Sequence, residues 1–366
     1  MHPERFRHLL TAKGPFASIY FDDSHDTEDA AAQLELKWRR IRERLEDQGV
    51  GAELVADLER AVLDVQPPVG RSGRGLVGGA DGVLLNEHLI EPVPATEIRL
   101  SELPYIVPVV GLGQEHPAYV VVAVDHAGGD ITSYDNGAAR SESVDGGGYP
   151  VHKARGAETP GFGDPQPRTE EARQKNIRAV ADRLTTMVDE SAADLVFVIG
   201  EVRSRTDLVS ALPERVRGRM VELRVGARHS GVDDQEVRRD IDAEFLRRRQ
   251  SATDAAAQRF RAELGSGRAV EGLPEVCAAL RQGAVDALVI GELADATVLA
   301  GDDLAMVAPD PDMLSELGAA PTRTLRADEA LPLLAVSVDA SLVRTDERIE
   351  PRDGIAALLR YAPTAG

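Results

Sequence analysis

A chain of 366 residues, 43% of them hydrophobic, is too long for one ordinary core and suits two or three domains. Its net charge of −20 argues against a general nucleic-acid binder, DNA included, because phosphate contact needs clustered cations. There is no apolar run of about 18 residues, and the start, MHPERFRHLL, lacks the apolar core of a signal peptide, so no membrane span is expected and the cytoplasm is the predicted compartment.

The first third opens with a strand, FASIYF, followed by polar DDSHDTEDA. A helix is predicted from Ala31 to Glu46, with Leu34, Trp38, Ile41 and Leu45 on one face. EDQGVGAE closes a turn, and a second helix carries Leu54, Leu58, Ala61 or Val62, and Val65 on one face, giving a helical hairpin. Pro67 and Pro68 end it, and a β-hairpin turned by Asp81-Gly82 follows.

A second unit starts near Pro117 with two strands, AYVVVAVD and GDITSYDN. A long loop is predicted over 145–168, rich in glycine, proline and charge, and Thr169 is expected to cap the helix after it. DLVFVIG reads as a strand buried on both faces, with a further helix behind it. Residues 233–265 read as one long charged helix leading to a third unit. That unit runs GLPEVCAALRQG (helix), VDALVIGE and ATVLAG (strands), two helical stretches, a short strand near Ser341–Arg344 and a closing helix, RDGIAALLRY. Cys277, the single cysteine, falls at an apolar helical phase and reads as a core residue. The alternation predicts an α/β (α+β multidomain) chain with domains at 1–115, 116–250 and 251–366.

Charge is uneven. Residues 265–366 carry 17 acidic and 8 basic side chains, whereas residues 149–178 carry 6 basic and 4 acidic ones. Two of the four lysines, Lys153 and Lys175, fall in that short window. With His152, Arg155, Phe162 and Arg168 it mixes cations with an aromatic ring, a composition suited to RNA, where cations neutralise phosphate and rings stack on bases. A plain connecting loop of chance composition fits equally well.

Other chemistries find little support. The eight histidines are scattered, without His-x-x-x-His or Cys-x-x-Cys spacing. His25 with Asp22, Asp23 and Asp26 reads better as an exposed polar turn than as a metal site. No Gly-x-Ser-x-Gly elbow and no Walker-type glycine loop occurs. No metal and no cofactor is expected.

Three stretches resemble a known family. GRAVEGLPEVCAALRQGAVDALVIGE, 267–292, is similar to the opening of the C-terminal domain of archaeal and eukaryotic class-one peptide release factors and Pelota. YVVVAVDHAGGDITSYDNG, 119–137, resembles the start of their central domain, and ASIYFDD with the helical hairpin fits their N-terminal domain more loosely. The whole chain looks most like their bacterial relatives, the Balon-type ribosome hibernation factors, and is similar to mycobacterial members. The resemblance implies an N-terminal α/β domain with the hairpin, a central RNase H-like domain and a C-terminal L7Ae-like α/β/α sandwich. It further implies binding to the 70S ribosome at the A site, against 16S and 23S rRNA, with elongation factor Tu as a partner through the C-terminal or central domain. An acidic third domain suits a protein partner better than rRNA.

The departures from the family pattern matter most. Release factors carry Gly-Gly-Gln in the central loop, whose glutamine positions the hydrolytic water; here the loop reads PGFGDPQPR, with Phe162 between the glycines and Gln166 after Pro165. The stop-codon motif Asn-Ile-Lys-Ser is absent, and the hairpin tip EDQGVGAE is acidic. The expectation is therefore a non-enzymatic ribosome-binding protein with no catalytic residue. His152, Lys153, Arg155, Phe162 and Gln166 would contact rRNA near the peptidyl-transferase centre, and Gln48, Gly49, Arg71 and Arg74 would face the decoding centre. Two alternatives stay open: a rescue factor that hydrolyses peptidyl-tRNA with water placed by Gln166 or His152, and a stress-induced scaffold without ribosome contact.

Overall fold

The structure, a computed structural model, describes residues 1–64, 71–113, 118–135, 138–145, 165–191, 193–223, 234–345 and 349–361. It is a mixed α/β fold of four sheets that divides into two compact units, Met1–Gln114 with Gln250–Gly366, and Glu115–Arg249. The first and third of the three expected segments share one unit. The physical reason is a common core: Phe6, Phe16, Tyr20 and Val109 pack in the same buried cluster as Val276, Leu288, Leu331 and Leu342.

In the first segment, β1 (Phe16–Asp22) is flanked by β2 (Gly73–Gly79) and β4 (Glu97–Ser101), with β3 (Gly82–Leu89) at one edge, all antiparallel. The apolar run of β1 is buried on both faces. Ala17, Ile19 and Phe21 face the helical hairpin α1 (Ala30–Asp47) and α2 (Ala52–Leu63), while Phe16 and Tyr20 face the core shared with the third segment. The hairpin forms as the spacing predicts, with Leu34, Trp38, Ile41 and Leu45 inward. A short helix, α3 (Val107–Leu112), closes the segment.

The second unit is a five-stranded sheet ordered β7-β6-β5-β8-β9, from β5 (Tyr119–Val124), β6 (Gly128–Asp135), β7 (Ala138–Asp145), β8 (Leu195–Gly200) and β9 (Met220–Glu222). β5, β8 and β9 are parallel; β6 and β7 are antiparallel additions. Helices α4 (Pro165–Ser191), α5 (Val202–Ala211) and α6 (Glu214–Arg217) bury Ile177, Leu184, Leu208 and Val216 with Val120, Val122 and Val198. Phe197 and Ile199 point the other way and pack with Ile241 and Phe245 of α7 (Asp234–Leu264). Farther along, Ala257 and Phe260 of the same helix join the core of the other unit.

The third segment contains β10 (Ala269–Glu271), α8 (Leu273–Arg281), β11 (Val285–Ile290), β12 (Thr297–Ala300), β13 (Val307–Ala308), α9 (Pro311–Glu316), β14 (Arg323–Arg326), α10 (Ala327–Ser337), β15 (Ser341–Arg344) and β16 (Ile355–Leu359). One sheet is ordered β10-β16-β11-β15 and the other β13-β12-β14. Cys277 is fully buried in α8. The predicted closing helix is instead β16, a central strand with all five residues buried. Asp353 (φ 55°) and Gly354 (φ 71°) break any helix before it, and two-sided burial outweighs the helix propensity of its alanines and leucines. No helix of the described residues is long and apolar enough to cross a membrane.

Candidate functional site

The segment with the predicted cations, 146–164, lies between β7 and α4. His152, Lys153, Arg155 and Phe162 fall outside the described residues, and so does the side chain of Gln166. Regular structure reaches closer to this segment from both sides than the sequence indicates. β7 runs to Asp145, and α4 starts at Pro165, so Gln166 is in its first turn and Thr169 lies inside the helix rather than capping it. Proline suits this start, since the first helical N–H groups need no partner within the helix.

Ion pairs anchor the two elements that frame the segment. Glu142 of β7 accepts two hydrogen bonds from Arg183 of α4, at 2.5 and 2.8 Å, and a third from Arg140 at 2.7 Å. These guanidinium groups hold the Glu142 carboxyl down at about 2. Arg140 also pairs with Glu190 at 3.8 Å. Val180 packs so closely over Gly129 that an added Cβ there would meet it at 2.9 Å. Asn176 donates to the His126 carbonyl at 3.2 Å, holding α4 to the turn between β5 and β6. Arg173 reaches Asp207 of α5. The turns of α4 before Asn176, ~16 Å of helix, thus lie on the side of this contact that leads to residues 146–164. Sequence reading missed β7 because ARSESVD has no apolar alternation; its regularity is in charges that pair with α4.

The four residues assigned to decoding do not form one group. Gln48 and Gly49 end α1 at the exposed hairpin tip, where Gly49 (φ 83°) has open space around it. Arg71 is exposed near the Asp22 end of β1, at the other end of the hairpin. Arg74 is the clear correction. It is 1% exposed and spends its guanidinium on Asn86 Oδ1 (2.9 Å), the Ala61 carbonyl (2.6 Å) and Asp23 (3.4 Å), so it has no surface to offer. Ala61 is itself ~13 Å along α2 from its start at Ala52, beside the tip.

Asp23 is likewise buried rather than part of an exposed turn. His25 Nδ1 and His88 Nδ1 stand 3.7 and 4.0 Å from its carboxylate, and Arg74 completes the group. Burial pushes the Asp23 carboxyl up against the pull of Arg74, and pushes Arg74 down. His88 is lowered to about 4 by burial and by the neighbouring Arg74. Among the described residues no group of three or more His, Cys, Asp or Glu side chains is arranged to hold a metal ion. No sequence signal links Asp23 and Arg74, which are 51 residues apart and meet through the pairing of β1 with β2.

Residues 118–266, the second unit and its continuation through α7, match the model of "Bacterial archaeo-eukaryotic release factor family 2". Two proteins of Mycobacterium tuberculosis, "Uncharacterized protein Rv2629" (strain H37Rv) and "Uncharacterized protein MT2704" (strain CDC 1551), are 53% identical over 366 residues, covering 100% of this chain and 98% of each relative. Among solved structures, the archaeal translation termination factor aRF1 aligns over 99% of both chains at 15% identity and a TM-score of 0.26. Pelota of Archaeoglobus fulgidus aligns over 97% of this chain and 90% of its own at 13% identity and a TM-score of 0.36. Superposition at these scores is loose, and the family assignment rests on the sequence relationships alone. By them, residues 118–266 fall in the bacterial archaeo-eukaryotic release factor family, and the chain as a whole belongs with the two mycobacterial proteins.

Proposed function

We propose that this protein occupies the ribosomal A site and holds translation idle as a hibernation factor, without releasing peptide. The observation that carries the reading is a release-factor-family match over 118–266 whose loop lacks the family's catalytic tripeptide. Ester hydrolysis on the ribosome needs one amide to hold a water within about 0.5 Å of its productive position. PGFGDPQPR separates its glycines with Phe162 and puts Gln166 between two prolines at the head of α4, which supports contact with rRNA rather than water placement. His152, Lys153, Arg155, Phe162 and Gln166 would supply that contact near the peptidyl-transferase centre through phosphate pairing and base stacking. Gln48 and Gly49 keep their proposed place toward the decoding centre, with Arg71 as a separate outlying contact. The acidic third segment favours a protein partner, and elongation factor Tu is the one the family resemblance suggests.

Cosedimentation tests the reading. The protein from stationary-phase cells should travel with 70S particles; its absence from them would sink the proposal. The competing reading, a rescue factor, draws on the release-factor family match itself. Peptidyl-tRNA hydrolysis on stalled ribosomes that disappears in Gln166→Ala would replace hibernation with rescue.

A further inference from the structure

Helix α1 has two opposite sides. Inward, Leu34, Trp38, Ile41 and Leu45 fill the hairpin core. Arg42 turns toward α2 and pairs with Glu59 at 3.5 Å and Glu46 at 3.8 Å. Outward stand Leu36, 53% exposed, and the exposed arginines Arg39, Arg40 and Arg44. Leu36, Arg40 and Arg44 follow one another at four-residue intervals along one stripe, with Arg39 beside it.

These three arginines are unusual in this protein. Most other described arginines end on a carboxylate or a backbone carbonyl; Arg281 on the Val307 carbonyl, Arg323 on the Gly301 carbonyl and Arg259 on Asp286 are examples. Arg39, Arg40 and Arg44 make no ion pair or side-chain hydrogen bond among the described residues, although Glu35, Glu43 and Asp47 are on the same helix. Arg40 and Arg44 are like charges one turn apart, an arrangement that disfavours the helix when nothing offsets it. In a chain of net charge −20, three guanidinium groups without an ion pair on one helix stand out, and they stay so although the exposed Glu43 and Asp47 share that side.

We propose that this outward side of α1 is a docking surface for RNA backbone phosphates. The guanidinium fork matches two phosphate oxygens at once, and phosphate supplies the counter-charge that the protein withholds. Leu36, on the same stripe, would rest against ribose and base. The inference rests on the ribosome reading and names a surface for it that the sequence-derived sites did not include. Arg44 lies one turn before Gln48, so the surface is continuous with the hairpin tip.

The test uses the full-length triple variant Arg39→Gln, Arg40→Gln, Arg44→Gln. Glutamine keeps helix propensity and removes the charge, and the helical signal of the variant should melt as the parent's does. Binding to purified 70S ribosomes is measured between low and physiological salt. The variant should bind about 10- to 100-fold more weakly at low salt, with a dependence on salt shallower by about two counterions. A parent that fails to bind 70S particles overturns the ribosome reading itself. A parent that binds, with a variant of equal affinity and equal salt slope, overturns the α1 surface alone. A photo-crosslinking amino acid at position 36 distinguishes the partner: adducts to rRNA support the proposal, and adducts only to ribosomal protein overturn it.

Discussion

Glu142 on β7 and Arg183 on α4 meet in a two-point ion pair, at 2.5 and 2.8 Å, that ties the strand before residues 146–164 to the helix after them. The pair is at the surface, so its worth is in holding two elements in register more than in global stability. Arg183→Ala should leave the unfolding midpoint nearly unchanged while speeding amide exchange across β6 and β7. Hydrogen exchange read by mass spectrometry checks this; unchanged exchange in those strands would refute it. The acid response has a definite sign. With its carboxyl held at about 2 against an ordinary 4.5, Glu142 contributes fully above pH 4.5 and loses its contribution as pH falls toward 2.

The buried pair of Asp23 and Arg74 behaves differently. Burial outweighs attraction for both partners, which marks a pair that stabilises little as a whole yet is costly to halve. Asp23→Ala leaves a guanidinium inside the protein with two neutral partners and should destabilise the first unit by about 3–5 kcal/mol. Replacing Asp23 and Arg74 together, by alanine and methionine, should recover most of that loss. Urea titration of the single and double variants decides; a double variant as unstable as Asp23→Ala contradicts the prediction.

His88 stands beside the same pair and gives the protein an acid limit. Its ring is held at about 4 by burial and by Arg74, against an ordinary 6.5, so the unfolded chain takes up this proton first. Stability should be intact above pH 6.5 and decline as pH falls from 6.5 toward 4. The raised Asp23 carboxyl acts in the opposite sense at the lower end of that range, because the folded state binds its proton earlier. His88→Asn should flatten the decline; melting temperatures that fall equally in both proteins between pH 6.5 and 5 would show that other groups set the limit.

Much of the fold is legible in local pattern. The hairpin of α1 and α2, the turn at Asp81-Gly82 and strands β5, β8 and β11 follow apolar spacing directly, because each presents a regular face to a core. β16 has the composition of a helix, and two-sided burial turns it into a central strand. β7 was invisible because its regularity is ionic and its partners lie on a helix beginning 20 residues after its end. For the candidate site, composition flagged cations but not their partners. It could not distinguish Arg74, consumed inside the protein, from Arg39, Arg40 and Arg44, which make no ion pair among the described residues.

The joining of the first and third segments yields the last prediction. Arg99 of β4 donates to Asp328 of α10 at 2.8 Å, approaches Glu329 at 3.6 Å and lies over the Tyr105 ring at 3.4 Å. Tyr105 in turn accepts from Tyr20 of β1 through its carbonyl. β1 has one face on the hairpin core with Trp38 and the other on the core that contains Cys277. Two cores that share a strand should lose their packing together. Trp38 and Cys277 are the single tryptophan and the single cysteine, so each reports on one segment. Tryptophan emission and thiol labelling should change at the same urea concentration in the parent. Arg99→Ala leaves the buried Glu329 carboxylate without that guanidinium and Asp328 paired with Arg326 alone, and should lower both midpoints together, by about 2–4 kcal/mol of stability. Separate midpoints in the parent, with the thiol exposed while Trp38 remains buried, would mean that the two segments fold as independent domains despite their common core.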